Sequence, residues 1–91
     1  MKTLITNQTS NGSGEPVDVK DGGYRIVRFY GTFDGCSVMV EADFGDGNFV
    51  PAQDTPQTQE GLIYVQLAHG MRLRATLSSA GASTSVSVDF S

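Results

Sequence analysis

Among its 91 residues the sequence has no tryptophan, one cysteine, one histidine and six lysines and arginines. Each shortage removes a class of function. The lone Cys36 can form no internal disulfide, and its place in an alternating segment makes it a small core residue. One histidine and one cysteine fall short of the four ligands of a structural zinc site. His69 lies before Gly70 between two strand patterns, with no nucleophile set beside it by spacing, and reads as a solvated turn residue. Six bases against ten acids give a net charge of −4. The clustered bases that neutralise phosphates are therefore missing, and nucleic acid is not an expected partner. No stretch approaches the roughly 18 consecutive apolar residues of a membrane span, and the opening MKTLITNQTSNG lacks the apolar run of about 7 to 15 residues that a signal peptide needs. Neither a membrane nor that route of secretion is expected, so the triplets Asn7-Gln8-Thr9 and Asn11-Gly12-Ser13 carry no glycosylation meaning.

What the chain does have is turn chemistry and alternation. Eleven glycines beside a hydrophobic fraction of only 38% suit short strands joined by tight turns. Residues 23–51 hold two strand patterns, the link between them and a second turn. In residues 24–30, Val27 and Phe29 share one face, with Ile26, Arg28 and Tyr30 on the other, as expected of a central strand. In residues 36–44, Cys36, Val38, Val40, Ala42 and Phe44 alternate with Ser37, Met39, Glu41 and Asp43. Phe33 is the large apolar residue of the intervening link and is expected to plug an end of the core. Ile63, Val65 and Leu67 share a parity in the next strand. Met71, Leu73, Ala75 and Leu77 point inward in the one after, with Arg72, Arg74, Thr76 and Ser78 outward. Val86, Val88 and Phe90 point inward in the last, with Ser85, Ser87 and Asp89 outward. The expected core is Val38, Val40, Ile63, Val65, Leu73, Leu77, Val86 and Val88. About seven strand candidates without any helical period predict an all-β fold, a single antiparallel β-sandwich or small barrel. Residues 22–91 are expected to form it. Residues 1–21 are polar, with Thr3-Leu4-Ile5-Thr6 as a short strand, and are expected to be an extended N-terminal arm held by an added strand pairing or by a partner surface.

No constellation of residues marks an active site, and no enzyme activity, metal or cofactor is expected. Asp43, Asp46, Asn48 and Asp54 invite a calcium reading, but their spacing does not fit a calcium loop, and Asp-Gly is ordinary turn chemistry. Carboxylates are plentiful, yet nothing marks one as desolvated beside an ionised partner, as glycoside hydrolysis requires. A sugar-binding module wants an exposed aromatic platform, whereas Tyr24, Tyr30, Tyr64 and the phenylalanines are mostly expected in the core. Arg72 and Arg74 share an outward face. They are either solvated positions that protect the sheet surface or a contact stripe to an acidic neighbour.

The run GGYRIVRFYGTFDGCSVMVEADFGDGNFVP resembles a pattern of small virion proteins of tailed bacteriophages: a Gly-Gly-aromatic strand start, Gly-Thr-Phe-x-Gly, an alternating Val strand, then Asp-Gly followed by an aromatic and Val. The Ser/Thr/Val alternation of residues 84–90 is similar too. The resemblance implies a non-enzymatic structural protein located in the virion, either a head decoration (cement) protein in many copies or a tail-associated β-domain. Its partners would be major capsid or tail proteins and further copies of itself. On this reading the arm, through Leu4, Ile5 and Val17, and the outward Arg72 and Arg74 are expected to make part of the contact. A carbohydrate or host-surface binding module is the alternative.

Overall fold

Alternation turns into two faces only where strands pair, and the pairing here builds two sheets. The computed structural model describes residues 2–91. Its strands are β1 (Lys2–Gln8), β2 (Gly12–Ser13), β3 (Val17–Asp18), β4 (Gly23–Thr32), β5 (Ser37–Asp43), β6 (Val50–Pro51), β7 (Gly61–Leu67), β8 (Arg72–Ser78) and β9 (Ser85–Phe90), with no helix among the described residues. One sheet has the order β1-β9-β4-β7. In the other, β8 lies between β5 and the short β2 and β3, and β6 extends the far side of β5. Every pairing is antiparallel. The two sheets pack face to face as a sandwich, which resolves the expected choice between sandwich and barrel.

The inner faces carry the parities predicted for β5, β8 and β9, and on β4 the Val27 and Phe29 side is the one that turns inward. Val27, Phe29, Val86 and Val88 of the first sheet meet Val38, Val40, Leu73, Ala75 and Leu77 of the second, all essentially excluded from water. The register puts Val38 opposite Leu77, Val40 opposite Ala75 and Ala42 opposite Leu73, so large and small side chains share the layer. Phe33 closes one end, as expected, and Cys36 is fully buried. Ile63 has the core parity but is only half-buried, because β7 is an edge strand. Phe44 breaks the expected alternation: it is 77% exposed. β5 ends at Asp43, and Gly45 and Gly47, at φ of 92° and 86°, turn the chain away before the pattern reaches Phe44.

The largest correction concerns residues 1–21, of which Met1 lies outside the described residues. The segment is not an arm beyond the domain. β1 pairs with β9 along one sheet, the chain crosses at residues 9–11, and β2 and β3 then pair with β8 along the other sheet. Leu4 and Ile5, expected at a partner interface, are each only 5% exposed inside the chain's own core, Val19 is buried and Val17 is half-buried. Two consecutive residues can both face inward because the β1 register slips between Thr3 and Ile5, a bulge that re-aims one side chain. A second slip before Gln8 and the positive φ of Asn7 begin the crossing.

Two glycines permit close approaches that a Cβ would forbid. A Cβ on Gly14 would stand 2.6 Å from both Ile5 Cγ2 and the Leu4 carbonyl oxygen, so residues 2–18 form a strap across both sheets whose link between β2 and β3 passes directly over β1. Gly31, at φ 118°, lets β4 run against the Ser85 carbonyl of β9.

Ile5→Ala tests the strap directly. Removing a buried aliphatic side chain should lower unfolding free energy in a denaturant titration by about 2 to 5 kcal/mol, as Leu73→Ala should in the core centre. A loss for Ile5→Ala below about half a kcal/mol, the level of surface substitutions, would restore the detached arm.

Candidate interaction surface

The outer faces of the two sheets differ in chemistry. On the β5–β8 face, acids and bases sit directly opposite each other, Glu41 across from Arg74 and Asp43 across from Arg72. Arg72 donates from Nε and Nη2 to the two carboxylate oxygens of Asp43, at 3.1 and 2.6 Å. Arg74 Nε donates to Glu41 Oε1 at 2.8 Å, and the Thr76 hydroxyl donates to the same oxygen. The Phe49 ring lies over both guanidinium groups, 4.0 Å from that of Arg74 and 5.5 Å from that of Arg72. Arg72 and Arg74, expected either as solvated positions or as a contact stripe, are paired within the chain and stacked beneath a ring.

Asp43 is the hub of the following turn. Its side chain is fully buried, and Oδ2 also accepts from the Gly47 amide at 2.9 Å. Asp46 accepts from the Asn48 amide at 3.0 Å. Asp43 and Asp46 of the calcium reading thus bind a guanidinium and turn amides, Asp54 is exposed, and no group of three or more candidate metal ligands occurs among the described residues.

Elsewhere the polar groups are likewise absorbed by structure. Burial raises the Cys36 thiol above its ordinary pKa, which keeps it protonated and unreactive. His69 Nδ1 is hydrogen-bonded to the Lys20 carbonyl. Lys2, Lys20 and Arg25 line a cleft of about 260 Å³ at one end of the sandwich, together with Asp18 and Asp21. There Lys2 donates to the Asp18 carbonyl and Arg25 to the Asp21 carbonyl, so two of the three cations are held on backbone oxygens.

The outer face of β4 and β7 is the exception. Tyr24 and Tyr64 are each 70% exposed and Leu62 is 60% exposed, with Ile26 and Tyr30 partly exposed on the same face. Register brings them together: Tyr24 lies opposite Gln66, Ile26 opposite Tyr64 and Arg28 opposite Leu62. The charge within this face is neutralised, because Arg28 donates to both oxygens of Asp89, at 3.1 and 2.7 Å, and lies 4.5 Å from the Tyr30 ring centre. Asp89 and Ser87 have the outward parity expected of them yet are buried, because Arg28 lies across the first and Asn7 hydrogen-bonds the second. All three tyrosines of the chain stand on this surface, against the expectation that most would be core. The available signal was parity: Tyr24 and Tyr30 share their face with Arg28, which cannot point into an apolar core.

No protein-family model matches the chain, and no curated protein does. Among solved structures, it is similar to a pentameric capsid protein isolated from metagenomic phage sequences, at 16% identity and a TM-score of 0.44, over 96% of this chain and 61% of that one. It is also similar to TmCBM61, solved in complex with β-1,4-galactotriose, at 14% identity and a TM-score of 0.45, over 88% of this chain and 63% of that one. The chain thus spans less than two thirds of either protein.

The Asp43–Arg72 pair sets a pH dependence. The Arg72 hydrogen bonds, helped by the Gly47 and Gly45 amides and opposed by burial, hold the Asp43 carboxyl at about 2 against an ordinary 3.8. A carboxyl whose pKa is lower folded than unfolded stabilises the fold above its unfolded value, and that contribution is lost as pH falls through 3.8 towards 2. Melting temperature should therefore drop across that window. Asp43→Asn should melt lower at neutral pH and fall less steeply through the acid range. Parallel acid profiles for the two proteins would remove the pair from the account.

Proposed function

We propose that this protein is a non-enzymatic structural component of a tailed-phage particle, a surface-attached decoration protein of the head being the form favoured, which docks through the tyrosine face of β4 and β7. The observation that carries the reading is the contrast between the two outer faces. One is closed by ion pairs and a stacked ring, while the other presents Tyr24, Ile26, Leu62 and Tyr64 side by side to solvent. A contiguous exposed apolar patch of this kind on a small domain marks an interaction site, and tyrosine supplies large contact area at low conformational cost. The virion assignment is supported by the resemblance carried by residues 22–51 and 84–90. Further copies of the chain and a capsid or tail protein are its proposed partners, and the virion its proposed location.

A second reading is favoured by one feature of the same face. Register makes Tyr24 and Tyr64 diagonal neighbours on adjacent strands, a separation of about 7 to 8 Å over which two rings can form one stacking platform. Such a platform suits the apolar face of a sugar, and a host-glycan module would use the same tyrosines.

Tyr24→Ser combined with Tyr64→Ser tests the docking face. Both side chains are exposed, so the melting temperature should stay close to that of the unsubstituted protein, while co-sedimentation with stripped heads or tails should fall at least about tenfold. Undiminished attachment would move the contact to another surface. Retention of the unsubstituted protein, but not the variant, on immobilised glycans would favour the second reading.

A further inference from the structure

The sandwich has several sheet edges, and among the described residues only one is left open. In the first sheet, β1 is an edge broken by two register slips, a positive-φ Asn7 and the charge of Lys2. In the second, one edge is β6, two residues long and containing Pro51, continued by Gln57, whose amide and carbonyl pair with Val38. The other is made of the separate two-residue strands β2 and β3. These are the devices by which natural sheets prevent edge-to-edge pairing. β7 has none of them. Its seven residues, GLIYVQL, include no charge and no proline, and the register with β4 is unbroken.

Backbone geometry fixes which groups β7 presents. The Ile26 carbonyl accepts from the Ser91 amide on the β9 side, while the Gly31 amide on the β7 side donates to the Glu60 carboxylate. Because successive residues of a strand aim their amides to opposite sides, the odd-numbered residues of β4 pair with β7. Val27 therefore exchanges hydrogen bonds with Ile63 and Arg25 with Val65. The amides and carbonyls of Leu62, Tyr64 and Gln66 then point away from the sheet, and none has a hydrogen-bond partner among the described residues.

We infer that β7 is a self-association edge, pairing antiparallel with β7 of a second copy about a two-fold axis at Tyr64. In that register Tyr64 faces its own counterpart, Leu62 faces the partner's Gln66, and every outward amide and carbonyl of these residues is satisfied reciprocally. On the inner side, Ile63 comes opposite the partner's Val65, which covers a core-parity residue that the isolated chain leaves only half-buried. Two four-stranded sheets become one continuous sheet, and the tyrosine faces of both copies lie side by side on it.

Charge and specificity select a second copy over a foreign strand. Each chain carries a net charge of −4, yet this edge brings no like charges together. The nearest acid, Glu60, is held on the Gly31 amide and falls at opposite ends of the paired strands. An edge that recognised a foreign peptide would need charges or pockets to read its side chains, and β7 offers neither. The inference rests on the strand edge and stands apart from the identity of whatever the tyrosine face docks.

Sedimentation equilibrium of the full chain, without any particle, tests it. The expected result is a mass that rises with concentration and levels off at two copies. Gln66→Pro removes one outward amide without touching the β4 pairing or any tyrosine, and should weaken the association constant at least about tenfold. Tyr64→Lys places two cations at the axis and should do the same, which decides the matter if the proline variant melts far below the unsubstituted protein. A monomer at every concentration overturns the inference, as does a dimer indifferent to both substitutions or a mass that climbs past two copies. Failure here leaves the co-sedimentation result for the tyrosine face unaffected.

Discussion

β9 and β8 are interior strands only because residues 2–18 run along them, one sheet after the other. Without β1, the free edge of β9 would expose its backbone and uncover Val86 and Val88 from one side. Without β2 and β3, β8 would lie open in the same way. The strap belongs to the core by its own side chains, with Leu4, Ile5 and Val19 buried among the residues of both sheets. In a chain of this length a core is modest, so a segment that covers two strand edges and adds apolar side chains between them bears on the whole fold. The cost of ordering a polar stretch, roughly 1 to 2 kcal/mol per residue, is opposed by ladder hydrogen bonds and by this burial.

With that side of the sandwich sealed, the exposed surface divides by chemistry. Cross-strand ion pairs lie flat on the β5–β8 face and are covered by Phe49, so charges there are spent within the chain. Arg28 and Asp89 do the same within the other face, where tyrosine, leucine and isoleucine make up most of the remaining exposed surface. The protein has paired Glu41, Asp43 and Asp89 with arginines and left a face of no net charge and an uncharged edge adjacent to each other, both on β7.

Much of the sandwich was legible in the sequence because alternation is a local signal. The inward parities of β5, β8 and β9 follow from their residues alone, and so does the role of Phe33. What the sequence hid depends on pairing partners far apart in the chain. Leu4 and Ile5 are consecutive, which contradicts strand alternation until a bulge allows both to turn inward, so the segment reads as a polar arm. Arg72 and Arg74 look like free outward cations until register sets Asp43 and Glu41 opposite them. Phe44 fits the pattern of β5, but a turn anchored on the Asp43 carboxylate begins one residue too early for it. The tyrosine face lay between these cases: parity with Arg28 marked it as outward, whereas the general tendency of aromatic rings towards burial pointed the other way.

Hydroxyl-radical footprinting of the free protein and of the protein in its native particle would compare the two faces residue by residue. If the tyrosine face is the docking surface, Tyr24, Leu62 and Tyr64 lose reactivity on assembly, while Phe44, 77% exposed at the turn beside the charged face, keeps it. Protection of Phe44 and Phe49 with Tyr24 and Tyr64 still fully reactive would contradict the account.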